Sequence, residues 1–165
     1  MLRPIDLDAV IHETLIKAKS SPRRRANRSF HTEEDVMQRM VNSGYSDTYL
    51  GPHRHGKHVK LEIFIVLKGR GAFLSFDDTG KVTSCVALDE KGPVKMVEVP
   101  PQDWHSLIVL SEEASFLEIV EGKYDPVKHK ELPAWAPPEG SAEVLVYLAK
   151  LKRIVNEFQT KGGVQ

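Results

Sequence analysis

Residues 52–62 read PHRHGKHVKLE, so three histidines and one carboxylate fall within a single short segment. In a β-strand, side chains two residues apart point to the same face, so His53 and His55 would be presented together. Glu62 would lie on the next strand, and an antiparallel return would bring its carboxylate beside the two imidazoles. His58 would lie in the intervening turn and face solvent. The segment therefore predicts either a metal site or a polar loop.

Two further features favour the metal site. Glu62 is the one charged residue in the apolar run LEIFIVL, and a buried carboxylate is costly unless a partner neutralises it. His105 follows a Pro-rich turn at the head of another apolar segment and would supply a third imidazole. A first-row divalent ion held by these groups would keep one or two positions open for a substrate or for dioxygen. The predicted ligands are His53, His55, Glu62 and His105.

Each of these signals has an ordinary structural explanation when it stands alone. A His-x-His pair often arises by chance in polar loops, and a single His105 is more often a core or rim histidine than a ligand. A closed structural zinc site also has four ligands, although thiolates are more common there. The combination favours one divalent ion, and iron, manganese, zinc and nickel all remain open.

Composition limits the partners. The chain has 165 residues, which suits one domain with a full hydrophobic core. Lysines and arginines number 23, as do aspartates and glutamates, so no net charge would attract nucleic acid or an anionic membrane. The single cysteine, Cys85, cannot form an intramolecular disulfide, and no apolar run approaches the roughly 20 residues that cross a bilayer. We expect a cytoplasmic protein with a small-molecule ligand.

The fold class follows from the spacing of turn residues. Between residues 45 and 120, Gly, Pro and Asp clusters separate short β-rich segments, a pattern that predicts an all-β sandwich or barrel. The segment Asp-Asp-Thr-Gly at 77–80 predicts a hairpin turn with Gly80 at positive φ. The predicted strands are 48–55, 61–67, 72–76, 81–88, 94–99, 105–110 and 115–120.

Amphipathic helices are predicted at both ends of one domain, residues 1–165. Apolar residues at helical spacing predict a helix at about 6–19, and Gly140-Ser141 would cap a last helix that docks on the barrel or on a partner chain. The arginines at 23–28 predict a solvated face or an internal ion-pair arm, and residues 36–41 fit either helix or strand. The predicted organisation is helix and arm (1–35), barrel (36–121), Pro-rich wrapping tail (122–140) and helix (141–160).

The sequence resembles the cupin superfamily. His53-x-His55, Glu62 and Gly69 match its first motif, G(X)5HXH(X)3-4E(X)6G, with six residues between His55 and Glu62. Pro100 and His105 match its second motif, G(X)5PXG(X)2H(X)3N, although Gln102 stands at the usual glycine and Val109 at the usual asparagine. The resemblance implies a double-stranded β-helix barrel, or jelly roll, with a metal at its mouth.

A narrower resemblance is to the WbuC-type cupin-fold metalloproteins, which are found among genes for bacterial surface polysaccharide synthesis. It covers roughly residues 1–140, implies a strand over 36–42 and implies no particular reaction. The residues that carry it are 21–31, 52–55, 104–105, 121–126 and 135–140.

Three functions are compatible with this site. The first is a metal-dependent enzyme, of isomerase or lyase type, that acts on a small sugar-derived or carbonyl-containing molecule. Tyr49 and Lys60 are its candidate catalytic residues, because Tyr49 has the strand parity of His53, and Lys60 that of Glu62. The others are an iron-dependent oxygenase and a non-catalytic sugar or metabolite binding module with a structural metal. The amphipathic helices also suggest a homodimer.

Overall fold

The computed structural model describes residues 1–55, 60–124 and 130–160. These residues form two helices and eight strands. In chain order they are α1 (Leu7–Ser20), β1 (Arg25–Ser29), β2 (Met37–Tyr45), β3 (Glu62–Lys68), β4 (Arg70–Phe76), β5 (Val82–Asp89), β6 (Met96–Val99), β7 (Trp104–Val109), β8 (Glu113–Glu121) and α2 (Val144–Thr160). No helix in the described parts of the chain is both long and apolar enough to span a bilayer.

The strands form two antiparallel sheets that pack face to face. One sheet has five strands in the order β1-β2-β8-β3-β6, and the other has three in the order β5-β4-β7. Phe64 of the larger sheet packs against Phe73 of the smaller, with tilted rings and centroids 4.5 Å apart, and Phe73 meets Phe116 edge-on. Aliphatic side chains from both sheets complete this inner core, and the arrangement agrees with the all-β sandwich or barrel that the spacing of turn residues predicts.

Helix α2 covers the outer face of the smaller sheet. Along β7, alternate residues point to opposite faces, so Trp104 and Ile108 point outward to the helix while Leu107 points into the inner core. Leu148 and Leu151 of α2 are buried against this outer face. The last helix therefore docks on the barrel, which is one of the two alternatives, barrel or partner chain, that the sequence left open.

Helix α1 covers the outer face of the larger sheet. Asp6 accepts a hydrogen bond from the backbone N–H of Ala9 and caps the start of the helix. Ile11 and Leu15 pack on Val41 of β2. The sheets are thus covered outside by helices, and the space between them lies at the centre of the fold.

Three local predictions are confirmed. Residues 36–41 fall largely in β2, so the strand alternative is correct. Gly80 has φ of +84°, and a Cβ there would lie 2.6 Å from the Trp135 ring. Arg23 and Arg25 both pair with Glu139 in the tail, so the basic segment is an internal ion-pair arm, part of which forms β1.

Two local predictions are wrong. Residues 48–55 do not form a strand; they make isolated bridges, His53 with His105 and Arg54 with Glu131, because their partners are single residues of other segments. The last helix begins at Val144 and not directly after Gly140-Ser141, because residues 141–144 first form a turn in which the Val144 N–H donates to the Ser141 carbonyl.

Candidate metal centre

His53 and His105 are brought together by a backbone bridge between the loop before β3 and the start of β7. Each N–H donates to the other residue's carbonyl, at 3.0 and 2.9 Å. Residues paired in this way present their side chains on the same face, and the two imidazole centroids are 4.3 Å apart. His55 lies on the same side, with its ring centroid 5.7 Å from that of His53.

Glu62 reaches the histidines from the opposite sheet. The sequence predicts a hairpin between residues 48–55 and the following strand, but β3 instead pairs with β6 and β8, with Glu62 opposite Val99 and Val120. The carboxylate lies beside one of the two imidazoles expected, with Oε1 3.0 Å from His55 Nε2, and it also lies 3.4 Å from His105 Nε2. The centre therefore joins the two sheets across the inner core.

Backbone carbonyls orient two of the imidazoles. Nδ1 of His53 lies 3.0 Å from the Gly51 carbonyl, and Nδ1 of His105 lies 3.0 Å from the Asp103 carbonyl. Because a carbonyl can only accept, Nδ1 carries the proton in each ring and Nε2 presents its lone pair. Metal-bound histidines are held by the same kind of bond in other proteins. His105 Nε2 has no hydrogen-bond partner among the described residues.

The three imidazoles form a cluster that could hold a single ion, and Glu62 lies beside it. One ligand nitrogen from each of His53, His55 and His105 lies within 4.8 Å of the other two, and all three residues are buried. Adjacent ligands of a first-row ion, about 2.1 Å from the metal, are separated by about 3.0–3.4 Å at bond angles of 90–109°. The separations of Glu62 Oε1 from His55 and His105 lie in this range.

The protonation states also suit a metal. Burial holds the pKa of His53 well below its ordinary value and lowers that of His105 as well, so both rings are neutral at neutral pH. Burial raises the pKa of Glu62, but the adjacent His55 and His105 outweigh it, so the pKa is lowered overall. Neutral imidazoles and an ionised carboxylate are the forms that bind divalent ions.

A cavity of about 1160 Å³ extends from the three histidines to residues 132–139 of the tail. Its inner walls are apolar, with Phe64, Phe73 and Leu107 beside the imidazoles. Polar side chains from several elements line the rest, including Asn42, Lys60, Glu118 and Lys130. The space is large enough for a small metabolite next to the predicted ligands.

Tyr49 and Lys60 both line this cavity, but each is bonded to the backbone. The Tyr49 hydroxyl donates to the Pro137 carbonyl at 2.9 Å, and burial raises its pKa. The Lys60 ammonium donates to the Lys123 carbonyl at 2.8 Å. Their catalytic roles stay predictions. His58 lies outside the described residues.

Two positions of the motifs explain how the loops are shaped. Gly69 has φ of +74°, and a Cβ there would lie 2.3 Å from the Glu113 carbonyl oxygen, so only glycine fits. Gln102 stands at the usual glycine of the second motif and still adopts φ of +70°. The turn before His105 thus keeps the glycine conformation without the glycine.

The sequence reasoning missed Glu118. It lies on β8, on the face shared with Ala114, Phe116 and Val120, which points into the inner core. The signal was present, because an acid at an inward position of an apolar strand is the pattern that singled out Glu62. Asn42 on β2 was also missed, and its side-chain amide donates to Glu118 Oε2.

Solved structures with a similar architecture identify the fold. A protein with a double-stranded β-helix domain from Klebsiella pneumoniae matches with a TM-score of 0.57 and 14% identity over 79% of this chain and 91% of its own. A cupin 2 domain-containing protein from Halorhodospira halophila matches with a TM-score of 0.51 and 15% identity over 83% of this chain and 84% of its own. The fold is that of a cupin.

The capsular polysaccharide assembling protein CapF from Staphylococcus aureus is also similar, with a TM-score of 0.55 and 20% identity over 69% of this chain. This chain covers 33% of the CapF chain, so it spans about a third of that protein. A family model described as Domain of unknown function (DUF6016) matches residues 7–88, from α1 into β5. No curated protein matches the sequence significantly.

Proposed function

We propose that this protein is a metal-dependent cupin enzyme that acts on a small sugar-derived or carbonyl-containing metabolite. One observation carries the proposal: three buried histidines and Glu62 converge at the inner end of a cavity large enough for such a molecule. A closed structural site would have no need of adjoining space. A substrate could approach the centre through this cavity.

His53, His55, Glu62 and His105 would hold the ion. A bound divalent ion would supply Lewis acidity toward a carbonyl oxygen. The carbonyls of Gly51 and Asp103 keep the imidazoles turned toward the centre. Phe64 and Phe73 exclude water on one side, and the polar wall of the cavity can bind hydroxyl groups of the ligand.

The choice of a sugar-derived ligand is supported by two likenesses. The fold is similar to that of CapF, a capsular polysaccharide assembling protein, and the motifs resemble those of the WbuC-type cupins. Both concern surface polysaccharides. We therefore place the substrate among the precursors of such polymers.

The first test is elemental analysis of untagged protein purified without added metal or chelator. We expect about one first-row metal per chain, lost in His53→Ala and His105→Ala. His12→Ala is the matched control, because His12 is exposed on α1, and it should retain the metal. Equal metal content in all three variants, or none after reconstitution, would refute the proposal.

The metal found would separate the remaining alternatives. Iron would favour the oxygenase, whose activity would be detected as consumption of oxygen. Zinc, manganese or nickel would favour the Lewis-acid enzyme. Bound metal together with sugar binding but no turnover would identify the non-catalytic module.

We also expect a homodimer, the commonest closed assembly. Leu145 and Val146 of α2 are 72% and 75% exposed, so this helix carries apolar surface away from the barrel. Sedimentation equilibrium would give twice the chain mass of 18.6 kDa for the dimer.

A further inference from the structure

Glu118 is a second inward-facing carboxylate beside the predicted metal ligands. On the β3–β8 pair, Glu62 lies opposite Val120 and Phe64 lies opposite Glu118. Glu62 and Glu118 are therefore diagonal neighbours on one face, a relation that places two residues about 7–8 Å apart. The carboxylate of Glu118 lines the same cavity as the three histidines.

Asn42 holds this carboxylate in place. It lies on β2 opposite Phe116 and diagonal to Glu118, on the same inward face. Its side-chain N–H donates to Glu118 Oε2. A carboxylate has two oxygens and several acceptor positions, so one such bond orients the group and leaves acceptor capacity for a ligand in the cavity.

The surroundings of Glu118 set its protonation. Burial, followed by the charge of Glu62 on β3, raises the pKa of Glu118 to about 7. Lys130 of the tail, the Asn42 bond and His55 act in the opposite direction and are outweighed. A carboxylate whose pKa is raised is a stronger base than an ordinary carboxylate, which suits a group that accepts and returns a proton.

We propose that Glu118 transfers protons to and from the substrate in this cavity and that Asn42 is its positioning residue. The proposal rests on the proposed function and adds the proton-transferring group to it. For a carbonyl substrate, the C–H bond next to the carbonyl breaks and its proton passes to the Glu118 carboxylate. The electron pair delocalises onto the carbonyl oxygen, and return of a proton from the Glu118 carboxyl to the same carbon restores the carbonyl and completes the exchange.

Glu118 is better placed for this role than Tyr49 and Lys60, the two catalytic residues that the sequence predicts. The Tyr49 hydroxyl has a raised pKa and stays protonated at neutral pH, so it is a poor base. The Lys60 ammonium donates to the Lys123 carbonyl. Glu62 is the predicted metal ligand and is committed to the ion.

The test uses Glu118→Gln and Asn42→Ala, with Glu121→Gln as the matched control. Glu121 is on the same strand but is exposed at its end. Infrared difference spectra of chelator-treated protein, recorded as the pH changes, detect protonation of a buried carboxyl. We expect a carboxyl band with a midpoint near neutrality that disappears in Glu118→Gln and persists in Glu121→Gln. In Asn42→Ala the midpoint should rise, because the lost bond favours the charged form.

The second readout is deuterium exchange by metal-loaded protein in D₂O, with dihydroxyacetone, fructose and fructose 6-phosphate as probes. Glu118→Gln should retain its metal and lose exchange by about 100- to 10,000-fold. Asn42→Ala should lose less, and Glu121→Gln should match the wild type. Mass spectrometry of the probes measures the rates.

The outcomes separate the two proposals. If wild-type protein binds metal and exchanges a probe while Glu118→Gln is equally fast, the inference alone is overturned. A Glu118→Gln protein that is folded but loses its metal would make Glu118 a ligand, which also overturns it. If loaded wild-type protein exchanges none of the probes, the proposed function fails and the inference falls with it.

Discussion

Leu151→Ala should destabilise the protein without disturbing the metal centre. Leu151 is 1% exposed, and it packs in the cluster that joins Leu148 and Val155 of α2 to Leu74 and Ile108 of the smaller sheet. Truncation of a leucine this deeply buried costs about 2–5 kcal/mol, because the lost contacts and the cavity both contribute. In a chain of this length, that cost corresponds to a decrease in melting temperature of about 4–20 °C.

The metal centre should survive this change because it lies on the other face of the same sheet. His105 and Leu107 of β7 point inward, whereas Trp104 and Ile108 contact the helix side. The metal content per folded chain should therefore equal that of the wild type. Differential scanning calorimetry and elemental analysis of the same sample measure the two quantities.

Gln159→Ala is the control, because it truncates a side chain that is exposed on the same helix. Its stability should change by no more than about 0.5 kcal/mol. Equal melting temperatures for the two variants would show that α2 is not docked on the barrel. Metal loss in Leu151→Ala at a temperature where the chain is folded would refute the separation of the two faces.

Three further predictions concern the tail, the inner core and the turn before β7. Burial raises the pKa of Glu139, but hydrogen bonds from Arg25 and Arg23 lower it to about 2. The ion pairs of Glu139 therefore stabilise the fold above pH 4.5, and this stabilisation is lost as the pH falls toward 2. The melting temperatures of wild type and Glu139→Gln should differ at pH 6 and converge near pH 2. A difference that stays constant with pH would contradict this. A Cβ at Gly71 would lie 2.5 Å from the Phe116 ring, so Gly71→Ala should cost about 1–3 kcal/mol in urea unfolding, and an unchanged midpoint would show that the ring moves freely. Gln102→Gly should raise the free energy of unfolding by up to about 1 kcal/mol. Glycine relieves positive-φ strain of about 1–2 kcal/mol, which exceeds the free-energy cost of its greater freedom in the unfolded chain. A lower melting temperature would mean that the Gln102 side chain stabilises the turn.

The strands were predictable where local pattern and tertiary pairing agree. Residues 61–67 and 72–76 are mostly apolar and lie between turn residues, and they form β3 and β4 within one or two residues. Residues 48–55 are less apolar and do not form a strand, because their bridges go to His105 and Glu131, far along the chain. Local sequence carries no information about such distant partners.

The candidate ligands were predictable from the cost of burying a charge and not from the strand pairing that the sequence suggested. A hairpin was expected to join Glu62 to His53 and His55, yet Glu62 belongs to the opposite sheet. The prediction still identified residues that lie together, because an unpaired buried carboxylate is costly in any topology and must find a compensating group. Glu118 obeys the same rule and was overlooked because no histidine lies near it in sequence.

The sequence by itself determined the all-β class, the two terminal helices and the set of residue types that can hold an ion. These depend on the alternation of apolar residues, on the turn residues and on the cost of burying charge, which are local properties. Only the tertiary structure decided that the ligands come from both sheets and that Asn42 on β2 holds Glu118 on β8. Strand order depends on pairing between distant segments, and so does the place of every side chain in the cavity.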